Sequence, residues 1–93
     1  MIPIKITGEA QKEIKLILDK KGIPAEYGVR VGVRGAGCSG VSYVLGFDEP
    51  GQGDEKYDVE GFSVLIAKKD LMYLLGITLD FVEDAEVRGF VFK

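Results

Sequence analysis

The strongest constraint in this sequence is a cysteine set among glycines, between two segments that alternate like β-strands. Cys38 is the only cysteine of the 93 residues, and it lies in the run Gly35-Ala36-Gly37-Cys38-Ser39-Gly40. On both sides of the run, apolar residues recur at every second position, which is the period of a strand with one buried face. Glycine allows positive φ and leaves backbone N–H groups uncovered, so a ligand can approach the sulfur closely. We therefore predict a β-hairpin that carries Cys38 at its turn.

The alternation predicts one strand over Tyr27–Arg34 and a second over Val41–Phe47. Each strand has an apolar face, formed by Val29, Val31 and Val33 in the first and by Val41, Tyr43, Leu45 and Phe47 in the second. Arg30 and Arg34 share the opposite face with Gly32, where the arginines either pair with the acidic run Asp48–Glu55 or remain in solvent. That run is predicted to be a solvated loop, since its spacing does not match a calcium-binding loop.

The rest of the chain predicts an amphipathic helix, a second short helix and further strands. The first helix begins after Thr7 as N-cap and ends before Gly22, with an apolar stripe made of Ala10, Ile14, Ile17 and Leu18. The second helix is expected over Leu71–Leu75. Strands are predicted over Ile2–Ile6, Tyr57–Glu60, Phe62–Ala67, Ile77–Val82 and Val87–Phe92. These elements predict an α+β, β-rich fold of about six or seven short strands and two helices, in a single domain over residues 1–93.

Composition excludes several classes of function. The net charge of −3 and the pI near 4.9 give no basic footprint for nucleic acid or for an anionic membrane surface. No apolar run is long enough to span a bilayer. A single cysteine cannot form an internal disulfide, which indicates a reducing, cytoplasmic setting.

The residues in and around the glycine loop exclude several functions for it. The run matches the G-x-G-x-x-G pattern of dinucleotide sites, but those sites require a helix to begin at the loop, and Val41–Phe47 has the period of a strand. The chain has no histidine, so the usual activated Cys–His pair is absent. What remains is the thiol itself, as a metal ligand, a reactive group or a small buried hydrophobe. Turn residues surround Cys38, which favours the first two, and Arg34 is the nearest cation that would stabilise a thiolate.

The same residues resemble a known family. The blocks that carry the resemblance are Val29–Arg34, Gly37–Gly40, Val41–Leu45, Leu74–Val82 and Gly89–Phe92. They resemble the HesB/IscA family of A-type iron–sulfur carriers over nearly the whole chain. The resemblance implies a compact β-rich fold and a carrier without catalytic turnover that passes iron or a [2Fe-2S] or [4Fe-4S] cluster to apo-proteins. It also implies a homo-oligomer, either a dimer or a tetramer, and a cluster scaffold as partner.

In that family one ligand cysteine lies in the Gly-Cys-Ser-Gly loop, which matches Cys38. Gly35, Gly37, Ser39 and Gly40, together with Arg34, are then the residues that support the cluster loop. Two further family cysteines lie in a Cys-Gly-Cys tail after the Gly-Phe-x-Phe strand, and this sequence ends at Lys93, where that tail would begin. With one thiol, the remaining ligands are expected from another subunit, an external thiol or a tail. The alternative is a tailless relative that uses Cys38 for protein interaction or redox sensing without metal.

Overall fold

A computed structural model describes residues 2–35, 42–59, 61–86 and 88–93. In these ranges the chain forms, in order, β1 (Lys5–Ile6), α1 (Gly8–Lys20), β2 (Gly28–Arg34), β3 (Ser42–Asp48), β4 (Asp54–Val59), β5 (Phe62–Ala67), α2 (Leu71–Leu74), β6 (Thr78–Glu83) and β7 (Arg88–Phe92). A 3₁₀ turn over Lys68–Asp70 leads into α2. The predicted α+β, β-rich fold with two helices is confirmed. No helix in the described ranges is long and apolar enough to cross a membrane.

The strands form two sheets, one in the order β1-β6-β7 and the other in the order β3-β2-β5-β4. In the second sheet, β2 pairs with β3 in antiparallel register from Gly28 opposite Asp48 to Arg34 opposite Ser42. On its other side β2 runs parallel to β5, but this pairing covers only two positions. The predicted hairpin on either side of the glycine loop is therefore confirmed, with β2 as an inner strand.

Side chains from both sheets and both helices meet in one apolar cluster. Its fully buried members include Val29 and Val31 on β2, which confirms the inward face predicted for that strand. On α1, Ala10 and Ile14 are also fully buried, and the Thr7 hydroxyl accepts a hydrogen bond from the Ala10 amide at 3.2 Å as the predicted N-cap. Burial of each such aliphatic side chain contributes roughly 1.5–3 kcal/mol, so this cluster is the main source of stability.

Several predicted boundaries are wrong. The first strand covers only Lys5–Ile6, because β1 pairs with β6 at just these two positions. β4 begins at Asp54, inside the predicted acidic loop, since Asp54 pairs with Ala67 at the end of β5. Antiparallel pairing with a buried neighbour thus extends the strand into residues whose charge and glycine content favour a loop. The second helix ends at Leu74, one residue earlier than predicted.

The outer face of β2 is not the solvent face that its alternation predicts. Gly28 and Gly32 are both buried. A Cβ atom at Gly28 would lie 2.9 Å from Leu65 Cγ, and one at Gly32 would lie 3.0 Å from Asp70 Oδ2. The glycines on this face therefore make room for side chains that cross over the strand.

A carboxylate joins the two ends of the described chain. Asp80 on β6 accepts hydrogen bonds from the Thr7 hydroxyl at 2.6 Å, from Lys93 Nζ at 2.9 Å and from the Phe81 amide at 2.8 Å. The Thr7 hydroxyl, the Lys93 ammonium and the Phe81 amide lower the pKa of Asp80 from 3.8 to about 2. Asp80 thus connects the start of α1 to the end of β7.

Asp80→Asn should lower the melting temperature at pH 7, because the amide replaces a carboxylate that accepts three hydrogen bonds. A carboxylate whose pKa is lower in the folded than in the unfolded state stabilises the fold at pH values above the unfolded-state pKa. This contribution disappears as the pH falls from about 4 toward 2. The difference in melting temperature between wild type and variant should therefore narrow over that interval. Thermal unfolding followed by circular dichroism at several pH values measures it. Asp19→Asn, on the exposed surface of α1, is the control, and a difference that persists unchanged to pH 2 would contradict the assignment.

Candidate metal centre

The β2–β3 pairing holds both ends of the cysteine loop. Arg34 and Ser42 are register partners, so the chain leaves and re-enters the sheet at adjacent positions about 5 Å apart. Gly35 has φ +72°, in the left-handed region that other residues rarely adopt, which confirms the predicted use of glycine at this point. The predicted site residues Gly37, Cys38, Ser39 and Gly40 lie outside the described residues. Val41, predicted as the first residue of the second strand, also lies outside them.

Arg30, on the outer face of β2, is held by two carboxylates. Its guanidinium donates two hydrogen bonds to Asp54, of 2.8 Å to Oδ1 and 2.7 Å to Oδ2, and Nε donates to Asp48 Oδ2 at 3.1 Å. The side chain of Asp54 is only 6% exposed, and the hydrogen bonds from Arg30 lower its pKa from 3.8 to about 2. The same pairing raises the pKa of Arg30. The first of the two alternatives, pairing with the acidic run, is therefore confirmed for Arg30.

Arg34 differs from Arg30, although the two residues share one strand and one face. It is exposed and makes no ion pair within the part of the chain that the structure describes. Arg34 therefore leaves a cation available at the point where the chain enters the cysteine loop. The role of Arg34 in supporting a thiolate at Cys38 stays a prediction, since Cys38 lies outside the described residues.

The acidic run after β3 does not form a cation site. Asp48 and Asp54 are engaged by Arg30, and the Gly51 amide donates to Asp54 Oδ2 at 2.7 Å. Over residues 2–35, 42–59, 61–86 and 88–93, no group of three or more His, Cys, Asp or Glu side chains is arranged to hold a metal ion. Within the acidic run, Asp48 and Asp54 are therefore partners of Arg30.

The last residues of the described chain lie next to the base of the cysteine loop. Phe92 on β7 stacks on Tyr43, the second residue of β3, with ring centroids 5.2 Å apart. Lys93 exchanges backbone hydrogen bonds of 2.8 and 3.0 Å with Thr78, so the strand pairing continues to the final residue. The sequence indicated only that Tyr43 is core, because a contact between residues 43 and 92 depends on how the two sheets pack. The consequence is that the end of β7 packs against the start of β3, the strand that follows the loop.

Arg30→Gln should lower the free energy of unfolding by about 2 kcal/mol, because it leaves the buried carboxylate of Asp54 without its charged donor. Arg34→Gln on the same face should change it by less than about 0.5 kcal/mol, as for other exposed positions. Urea unfolding at pH 7 measures both variants. Equal effects of the two substitutions would contradict the assigned difference between the paired and the exposed arginine.

Residues 2–93 match the family model for iron-sulphur cluster biosynthesis. Among curated relatives, the iron-binding protein IscA of an Enterobacter species is 40% identical, over 96% of this chain and 82% of that protein. The human mitochondrial iron-sulfur cluster assembly 1 homolog is 41% identical, over 97% of this chain and 69% of its own length. These matches cover both strands of the hairpin and the cysteine between them.

Solved structures show the same architecture. SufA of Escherichia coli, described as involved in biosynthesis of iron-sulfur clusters, superposes with a TM-score of 0.81 at 28% identity and covers 97% of this chain and 78% of that one. The structure of IscA with the [2Fe-2S] cluster has a TM-score of 0.76 at 23% identity, over 97% of this chain and 83% of its own, and supports the fold alone. The predicted resemblance to HesB/IscA proteins is confirmed, and the chain belongs to the iron-sulphur cluster biosynthesis family.

Proposed function

We propose that this protein is an A-type-like carrier that binds iron or an iron–sulfur cluster through Cys38 and transfers it to apo-proteins. The observation that carries the proposal is the full-length match of residues 2–93 to the biosynthesis family, in a chain whose only thiol lies in the hairpin loop. Iron of a cluster favours thiolate over carboxylate or imidazole ligands. In this account Gly35, Gly37, Ser39 and Gly40 shape access to the sulfur.

The nature of the cargo follows from one relative and from the family. The Enterobacter relative, at 40% identity, is named an iron-binding protein, and the family matched is that of iron-sulphur cluster biosynthesis. Transfer of such cargo exchanges ligands and needs no residue that turns over a substrate, so we assign no catalytic residue. A cluster scaffold as donor and apo iron–sulfur proteins as acceptors are the partners that this activity requires.

One cysteine per chain sets a requirement on the assembly. An iron–sulfur cluster takes about four thiolate-class ligands, so the other ligands come from outside residues 1–93 of one chain. A dimer brings two Cys38 thiols together and a tetramer four, while an external thiol or a segment beyond Lys93 is the alternative source.

The setting of this activity follows from the residue chemistry. We propose that residues 1–93 act as one domain in the cytoplasm, where reducing conditions keep Cys38 as a thiol. The acidic balance of charge, −3 overall, favours protein partners over nucleic acid or an anionic membrane surface.

The alternative function is a metal-free module that uses Cys38 for protein interaction or redox sensing. The exposed Arg34 at the entrance to the loop favours this alternative, because a nearby cation stabilises a thiolate. A sensor thiol reacts quickly with alkylating agents at neutral pH, and its rate profile shows a pKa well below the free value of about 8.5. A carrier that holds iron is instead protected from alkylation by its cargo.

Anaerobic reconstitution with ferrous iron and sulfide tests the proposal. The wild-type protein at its native oligomeric state should develop sulfur-to-iron charge-transfer absorption in the visible range, and Cys38→Ala should lose nearly all of it. Ser42→Ala, at the exposed start of β3, is the matched control, since it alters a side chain near the loop and keeps the thiol. A colourless wild type together with rapid alkylation of Cys38 would overturn the carrier and support the sensor.

A further inference from the structure

The last part of β2 extends beyond the end of its neighbour β5. Parallel pairing with β5 covers Val29 opposite Val64 and Arg30 opposite Leu65, and β5 then stops at Ala67, where the 3₁₀ turn begins. In an antiparallel pair, alternate residues direct their N–H groups to the partner and away from it. The amide of Val33 points away from β3, toward the side that β5 has left. A buried amide without a partner there would cost about 1–3 kcal/mol.

Asp70, in the 3₁₀ turn that follows β5, supplies the missing acceptor. Its Oδ2 accepts a hydrogen bond from the Val33 amide at 3.4 Å, although the two residues are 37 positions apart. The residue as a whole is only 7% exposed. Its other oxygen accepts from Lys69 Nζ at 3.0 Å, which compensates part of the cost of burying the charge.

Gly32 shows that the space for this carboxylate is built into β2. A Cβ atom at this position would lie 3.0 Å from Asp70 Oδ2 and 3.4 Å from Val44 Cγ2. Glycine inside a strand costs stability, and it is found where another group must approach the backbone closely. Gly32 and Asp70 therefore form one arrangement, in which the missing side chain on the strand admits the carboxylate.

We propose that Asp70 is the positioning residue of the cysteine loop. It fixes Val33 from the side, and Arg34 and Gly35 then lead directly into the loop that carries Cys38. Its contribution is to fix the backbone at Val33, from which the chain enters the loop whose thiol binds the proposed cargo. The inference rests on the proposed function only for the identity of the cargo. The contact between Asp70 and Val33 does not depend on what the loop binds.

Two substitutions at position 70 distinguish a role of Asp70 as hydrogen-bond acceptor from a role in packing alone. Asp70→Asn keeps a carbonyl oxygen that can accept from Val33, and Asp70→Leu keeps the size of the side chain without an acceptor. The surface substitution Asp19→Leu is the matched control. In metal-free protein, Asp70→Leu should speed hydrogen exchange of the Val33 amide at least about tenfold relative to wild type, with Val29 nearly unchanged, because the amide loses its acceptor.

The alkylation rate of Cys38 and the rate of iron loss report on the loop itself. In Asp70→Leu, iodoacetamide should alkylate Cys38 of the metal-free protein several-fold faster, and iron should leave the reconstituted protein to a chelator about tenfold faster. Asp70→Asn should stay near wild type in both rates. A merely structural role would give both substitutions the same effect in proportion to their loss of stability, and that result overturns the proposal, as does an unchanged Val33 amide in Asp70→Leu.

The two proposals can fail separately. A wild-type protein that takes up no iron contradicts the carrier function, while the exchange and alkylation rates still decide the role of Asp70. If Asp70→Leu does not fold, Gly32→Ala takes its place, because its methyl group displaces Asp70 Oδ2 and leaves the carboxylate in the chain. Faster alkylation of Cys38 in Gly32→Ala supports the proposal, and a wild-type rate overturns it.

Discussion

The structure depends on β2, the strand that leads into the cysteine loop. Val29 and Val31 on this strand are fully buried in the core, and its full-length register with β3 determines where the loop begins and ends. Pairing on the other side is shorter, and the Asp70 carboxylate extends it by one hydrogen bond. β2 is therefore held by apolar burial toward its start and by a polar contact toward its end.

Ionic contacts join elements around this strand and in the other sheet. Arg30 connects the outer face of β2 to Asp54 on β4, which lies on the far side of β5 in the same sheet. In the other sheet, Asp80 connects the start of α1 to Lys93 at the end of β7. Since Phe92 stacks on Tyr43, the two sheets also meet at the start of β3, the strand that follows the loop.

Most of the architecture could be predicted, because strand period and helix capping are local properties. The valines at 29, 31 and 33 and the N-cap at Thr7 were sufficient for the hairpin and for α1. The contact of Asp70 with Val33 could not be predicted, since it depends on where β5 leaves the sheet, and periodicity does not encode that point. The glycine at position 32, inside a predicted strand, was the one local signal of a close approach. The role of Cys38 came from its motif and from family resemblance, and it remains a prediction.

The central claim is that Cys38 holds iron in cooperation with ligands outside its own chain. Native mass spectrometry of the anaerobically loaded protein measures iron, sulfide and the number of chains in one species. The account predicts that iron appears only in oligomers, or in complexes with an added thiol, and disappears when Cys38 has been alkylated before loading. Iron retained by monomers whose Cys38 is alkylated would contradict it.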